Sequence, residues 1–427
     1  MRRREFLTGV AGTTAYGLSA RLVARQRPLR VGVIGSGIVG ASIAFHLAQA
    51  GARVTTFEKS QPAGGATKNS FAWLNAFVAD PHYRDLRLSS LAAYHDLDRG
   101  LQLGITWAGY INWASEAEQV AALRTVGSQL DGTPYPVRSI SAAELSSTAP
   151  SLTTGPVAAA FFSRVDGHLD PVWVTQRFLA QARRYGARTL YPCEVQDLDL
   201  RGGALAGLIT TRGHVPLDRL VVAAGVDTPS ILAMAGFDLK LRHAPGILAH
   251  STPIKAVTPI VFDAPGGVSF KQMSDGSVVG TDSPEPPDLP VHQEIRERVM
   301  DFPNEALRSL HGNRILTKIA AFLPATRGVA LDRLTLGFRP LPIDDLPVVG
   351  AVPGVRNVHV VVTHSGVTLA PILGRYVTQE ILHGSPVDFL APYRPERFLA
   401  SRASVATRAV VGIAGSCIGL TSDIGPA

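Results

Sequence analysis

Cysteine is nearly missing: Cys193 and Cys417 are the only two in 427 residues. Two thiols cannot make a disulfide framework, and alone they fall short of a metal site. Charged side chains are sparse, at 18% against 46% hydrophobic. That balance excludes a disordered chain and fits a well-buried globular one. The net charge is +7, but Arg2, Arg3, Arg4 and Arg21 against Glu5 place part of it in residues 1–24. The remainder is diffuse, with no basic stripe interleaved with aromatics, so no nucleic-acid partner is expected. The apolar stretches Phe6–Ala20 and Ala409–Leu420 are shorter than the ~20 residues that span a bilayer, so no transmembrane anchor is expected. A Ser/His/Asp arrangement, paired carboxylates, a metal-ligand cluster and an internal repeat are all lacking, which leaves hydrolytic and two-carboxylate chemistry without a carrier.

What is present begins with a paired arginine. Arg3-Arg4-Glu5-Phe6-Leu7 precedes a weakly apolar stretch, and Leu18-Ser19-Ala20 and Leu22-Val23-Ala24 offer small-residue cleavage sites. Residues 1–24 resemble a twin-arginine export signal, which predicts a periplasmic or exported protein; the alternative is a basic tail on a cytoplasmic one.

Val31–Ile34 is a short apolar run of the kind a buried parallel strand needs. Glycines follow at Gly35, Gly37 and Gly40, then a helix from Ile38 to Ala50, then a second strand from Val54 to Phe57 that ends at Glu58. Gly35 permits the tight turn, Gly37 lets backbone N–H groups reach a pyrophosphate, and Gly40 lets the helix pack on the strand. The helix N-terminus adds partial positive charge, and Glu58 stands where an acid accepts from ribose hydroxyls. Gly64-Gly65-Ala66-Thr67 comes next. Such a turn presents consecutive N–H groups and a hydroxyl, and after the acid of a dinucleotide fold it points to a flavin rather than a nicotinamide.

The predicted class is α/β: an FAD-binding Rossmann-type domain with an inserted α+β substrate domain built around a mixed sheet. The FAD-binding domain is expected from three pieces, 29–79, 166–236 and 331–398, and the substrate domain from 80–165 and 237–330, with 399–427 a C-terminal tail. Within these, helices are expected at Tyr83–Leu97, Glu116–Leu130 and Thr368–Leu382. A hairpin is expected to turn at Arg212-Gly213, and strands at Leu220–Ala224, Val268–Lys271, Ser277–Gly280 and Val358–Val362.

The text Gly35-Ser36-Gly37-Ile38-Val39-Gly40-Ala41-Ser42, Glu58-Lys59, Gly64-Gly65-Ala66-Thr67 and Val221-Val222-Ala223-Ala224-Gly225 resembles the D-amino-acid oxidase, glycine oxidase and sarcosine oxidase family. Gly337-Phe338-Arg339-Pro340, Asp345-Leu346-Pro347-Val348-Val349-Gly350 and His364-Ser365-Gly366-Val367-Thr368-Leu369-Ala370-Pro371 extend the likeness over residues 29–398. The resemblance implies a tightly held, noncovalent FAD and an amine or amino-acid substrate oxidised at its C–N bond by hydride transfer. The resulting imine hydrolyses, and oxygen or a quinone or carrier takes the electrons. It implies that Gly35, Gly37, Ile38, Val39, Gly40, Glu58, Lys59, Gly65, Ala66, Thr67, Asn69, Ser70, Ala224, Gly225 and Gly337 surround the cofactor. Val195 would lie near adenine through its backbone, and Ser365, Gly366, Val367 and Thr368 would lie at the flavin ring.

Arg339 is the residue this resemblance assigns to the substrate carboxylate, because a planar guanidinium donates two parallel hydrogen bonds. The alternative is an ion pair with Asp344 or Asp345. Lys271 is a candidate cation for oxygen activation, or else a salt-bridged or surface lysine. His364 is a candidate to orient substrate or flavin, or else a turn histidine. Trp73 is a candidate pocket residue; Trp107, Tyr110 and Trp113 form either an apolar substrate wall or ordinary packing. Two rivals remain open at this point: a nicotinamide-dependent dehydrogenase, and a noncatalytic flavin-binding protein.

Overall fold

The structure is a computed structural model that describes residues 27–282 and 305–399. The expected export signal, the proline-rich turn Ser283–Pro290 and the expected tail from Ala400 lie outside the described residues, as does Cys417.

The first sheet has six strands. In spatial order they are Val348–Ala351, Val358–Val362, Arg219–Val222, Arg30–Ile34, Arg53–Phe57 and Arg188–Leu190. All neighbours run parallel except the Val348–Ala351 edge, which is antiparallel. Val31, Val33, Val221 and Val360 are fully buried because helices cover the sheet. The helix Ile38–Gln49 lies between helices Pro171–Arg184 and Gly366–His383. Its near-continuous burial explains a sequence without a clear polar face. Gly374 lets the last helix approach: a Cβ there would stand 2.5 Å from Ser42 Oγ and His46 Nδ1.

Helix ends follow local chemistry. Asp80 accepts from the Tyr83 N–H at 2.6 Å with Pro81 behind it, starting the helix Pro81–Leu101. Asp170 does the same for Pro171–Arg184. The last helix starts at Gly366, two residues before the expected Thr368, and carries Pro371 inside it. Proline has no N–H for the Val367 carbonyl four residues back. The Tyr94 hydroxyl donates to that carbonyl instead, at 2.6 Å.

The second sheet has eight strands, and Leu331–Pro342 forms one edge, paired along its length with Leu241–Ser251. Val278–Thr281, Val268–Gln272, Val261–Ala264, Tyr110–Ala114, Ala159–Ser163 and Val137–Ser139 follow. The Leu331–Pro342 strand therefore belongs to this sheet by hydrogen bonding, whereas the sequence groups its segment, 331–398, with the nucleotide-binding pieces. The helix Glu305–Phe322, not anticipated from sequence, packs Ile315 and Ile319 on the sheet beside Phe262 and Phe270. Val268–Gln272 is buried throughout rather than on alternate residues, since the helix packs on the strand and Lys271 reaches under Phe71 to the Ala72 carbonyl. Tyr110 and Trp113 are interior packing residues, and Trp107 stacks on His95 at 3.9 Å between centroids. A three-stranded antiparallel sheet, Val195–Arg201, Ala204–Thr210 and Gly213–Pro216, completes the fold, with Trp73–Leu74 paired to Gly167–His168.

Candidate active site

A cavity of about 590 Å³ opens where the parallel strands end. This is where doubly wound sheets bind ligands. Glu58 follows one of those strands, and Ser365 follows another that lies three spacings away in the sheet, about 14 Å. The cavity therefore has a Glu58 side and a Ser365 side.

On the Glu58 side the walls are mostly backbone. Gly35 has φ +98, and a Cβ on it would stand 2.4 Å from the Ala223 carbonyl oxygen, so only glycine fits the turn. Gly40 does not line the cavity; a Cβ there would stand 2.1 Å from the Gly35 oxygen, so its lack of a side chain seats the helix. The Thr67 hydroxyl accepts from the Ile38 N–H at 3.1 Å, tying the Gly64–Thr67 turn to the helix start. Glu58 accepts from the Ser36 N–H at 3.0 Å and the Ser36 hydroxyl at 2.9 Å, which fixes one carboxylate oxygen. Lys59 pairs with Asp227 at 2.8 Å across the rim. Gly37, Ile38, Val39, Gly65, Ala66, Asn69, Ser70, Ala224 and Gly225 also line this space. Val195 does not: it opens a strand and packs into the core beneath, and its neighbour Glu194 lines the cavity instead.

On the Ser365 side the walls are side chains from both sheets. Arg339 reaches in from Leu331–Pro342, with Gly337 two residues earlier, and its Nη1 lies 3.5 Å from His364 Nε2. Asp344 is engaged by Arg397 at 2.7 Å and Asp345 by Arg242, so the two carboxylates named as alternative partners are held by other arginines. Burial, reinforced by Arg339, Arg87 and Arg242, pulls the His364 pKa down to about 3, so the imidazole is neutral at physiological pH. Ser365, Gly366, Val367 and Thr368 form the turn into the last helix, and Thr368 donates to the Trp73 carbonyl at 3.2 Å. Phe71, Trp73, Ile247 and Leu248 supply the apolar wall.

Lys271 is neither salt-bridged nor on the surface. It is fully buried behind the wall, donates to the Ala72 carbonyl at 3.4 Å and lies 5.2 Å from the Phe71 ring centroid. Burial lowers its pKa to about 7, with Asp170 opposing the shift. Asp166 lies behind Trp73, accepting from its indole N–H at 2.8 Å and from Ser163 at 2.6 Å. Burial raises its pKa to about 7 against those hydrogen bonds.

Arg87 was missed. It projects from the Pro81–Leu101 helix into the cavity wall, donating to Asn75 Oδ1 at 2.7 Å and to the Ser365 hydroxyl. The signal was available: Arg87, like Arg84, falls on the buried, mostly apolar stripe of Tyr83, Leu86, Leu91 and Tyr94, where a charge calls for a partner.

Glycine-shaped backbone, a clamped acid and open space at Gly65 and Gly225, where nothing lies within 4 Å of a Cβ position, fit a dinucleotide, and the basic apolar chamber beyond fits a reacting ring. Fold and site together define a flavin-nucleotide oxidoreductase. The sequence model of the FAD dependent oxidoreductase family matches residues 30–380, and the chain belongs to that family. It is an enzyme, and its cofactor is FAD.

Mitochondrial dimethylglycine dehydrogenase of Rattus norvegicus is 27% identical over 380 residues, covering 86% of this chain and 44% of the relative. The 4-methylaminobutanoate oxidase (formaldehyde-forming) of Paenarthrobacter nicotinovorans is 24% identical, covering 84% and 44%. The chain thus spans about half the length of these curated relatives. The crystal structure of L-proline dehydrogenase from P. horikoshii shares the fold, with a TM-score of 0.77 at 22% identity over 88% of this chain and 99% of that one. Among the described residues no helix is long and apolar enough to cross a membrane, and no group of three or more His, Cys, Asp and Glu could hold a metal ion.

Proposed function

We propose that the enzyme oxidises the C–N bond of a small amino acid, with N-methyl amino acids as its substrate class. The observation that carries this is Arg339, a guanidinium on the chamber wall beside His364, a neutral imidazole. Arg339 fixes the substrate carboxylate with two parallel hydrogen bonds. His364 hydrogen-bonds without holding a proton at neutral pH. Among the described lining residues the carboxylates are Glu58, Glu194 and Asp227, and Glu58 and Asp227 are held on the nucleotide side by Ser36 and Lys59. The substrate nitrogen therefore meets no fixed negative charge on the Ser365 side and binds as the free amine, whose lone pair is what the reaction requires. Phe71, Trp73, Ile247 and Leu248 keep water from that nitrogen. FAD, when bound, accepts the hydride that leaves the carbon next to nitrogen. The C–H bond breaks, the lone pair makes the C=N bond, and water then hydrolyses the product to a carbonyl compound and an amine.

Two curated relatives named for N-methylated substrates support this class over primary amino acids. An anaerobic panel tests it. Sarcosine or a longer N-methyl amino acid should bleach the flavin faster than glycine or D-alanine, and plain methylamines should be slow. Faster bleaching by primary D-amino acids would reverse the assignment. Oxygen and a quinone or carrier protein are the two electron acceptors in view; stopped-flow reoxidation in air-saturated buffer separates them, slow reoxidation excluding an oxidase. We propose, on Arg3-Arg4 and the stretch behind it, that the protein is exported by the twin-arginine route. Fractionation of cells carrying Arg3→Lys with Arg4→Lys should then find the protein retained inside.

A further inference from the structure

Arg87 is only 3% exposed, and a buried guanidinium is expensive unless something negative meets it. Its partners are neutral. Nη1 donates to Asn75 Oδ1, Nη2 to the Ser365 hydroxyl, the group stacks 4.8 Å from the Tyr83 ring centroid, and Nε has no hydrogen-bond partner. Among the described residues no carboxylate comes within ion-pair distance of it. Asp166 is an acid whose titration feels it, and that carboxyl is committed to Trp73, Tyr135 and Ser163. The placement is specific. Ser365 is the N-cap of the Gly366–His383 helix, yet its hydroxyl caps no backbone N–H of that helix. A serine in that position normally accepts from the second or third N–H. Here it accepts from Arg87, which leaves the first-turn N–H groups and the cation to face the same chamber.

We infer that Arg87 is the built-in counter-charge for the flavin: it stabilises the negative charge the ring acquires on reduction. A hydride brings two electrons and one proton, so a neutral ring becomes a monoanion. The substrate C–H supplies all three, and a fixed cation beside the helix N-terminus lowers the energy of that anion relative to the oxidised ring. Arg339, on the other sheet, keeps the separate task of holding the carboxylate.

The test uses purified FAD-loaded enzyme without substrate, so its outcome is independent of the substrate class proposed above. Sulfite, which adds to oxidised flavin and leaves it negatively charged, is the probe. Arg87→Gln should weaken sulfite binding by about tenfold or more. It should also lower the flavin midpoint potential, by about 30 mV for each tenfold loss in stabilisation of the reduced form. Arg87→Lys, which keeps the charge, should stay within about threefold of wild type. Should Arg87→Gln not retain FAD, Ser365→Ala, which frees the guanidinium from its anchor, replaces it in the comparison with Arg87→Lys. Sulfite affinity and potential unchanged when the charge is removed or displaced would overturn the inference. So would a rise in substrate KM with the potential unmoved, because Arg87 would then belong to the substrate.

Discussion

On its Glu58 side the cavity is walled mostly by backbone, much of it from one stretch, Gly35 to Thr67, while on its Ser365 side it is walled by side chains from five segments distant in sequence, around Trp73, Arg87, Ile247, Arg339 and His364. The first kind of wall suits what never changes, a pyrophosphate and a ribose, and at Gly35 it is built on a turn that only glycine can make. The second, which we assign to the reacting ring and the substrate, presents Arg87, Trp73, Arg339 and His364, each aimed by a different element. Mutations should therefore behave differently on the two sides. Changes near Glu58 should act on FAD retention and stability together, and changes near Ser365 on substrate or potential with the fold intact.

The largest effect should come from Gly35→Ala. The new Cβ would meet the Ala223 carbonyl at 2.4 Å with φ at +98, so the variant should lose roughly 3 kcal/mol or more and purify without flavin colour. A stable yellow variant would break the comparison on its firmer side. Next is Arg339→Ala, which should raise KM for N-methyl amino acids about 10- to 100-fold while FAD content and melting temperature hold. Equal losses for substrates with and without a carboxylate would remove its assigned role. Glu58→Gln should weaken FAD binding about tenfold, measured by titrating apoenzyme, with little change in KM. The fourth concerns Asp166, whose pKa is raised by burial from 3.8 to about 7. A carboxyl raised in the fold contributes stability that is full below its unfolded value and is lost as pH rises through its folded value. Melting temperatures should thus show wild type losing ground to Asp166→Asn between pH 4 and 7, with a constant gap above. The smallest effect belongs to Lys59→Ala. Its pair with Asp227 is exposed on both partners, and such pairs contribute about 0–1 kcal/mol, so FAD affinity should change less than about fivefold.

The same contrast explains what could be read from the chain beforehand. The turn at Gly35, the helix behind it, Glu58 and the Gly64–Thr67 turn are local: spacing alone encodes them, because the physics that demands each glycine acts between near neighbours. The strand that carries Arg339 was legible as a segment but not as a member of the second sheet, since its pairing with Leu241–Ser251 is a long-range choice made by packing. Arg87 escaped because a charge within an apolar helical stripe looks like an exception until the opposing Ser365 is known. The Glu305–Phe322 helix escaped because it follows a segment whose strand-like alternation set the expectation. Lys271 could not be assigned to interior or surface from alternation, because its strand is covered on both faces.

Gly337 sits where these two kinds of wall touch: a Cβ there would come 2.6 Å from the Asn69 Cβ and 3.1 Å from the Asn69 carbonyl oxygen. The seam between the halves is one hydrogen atom wide. A single methyl driven into it would act as a wedge, loosening the grip on the nucleotide through Asn69 and spoiling the aim of the guanidinium two residues further along. Grip and aim are thus geared together at this seam.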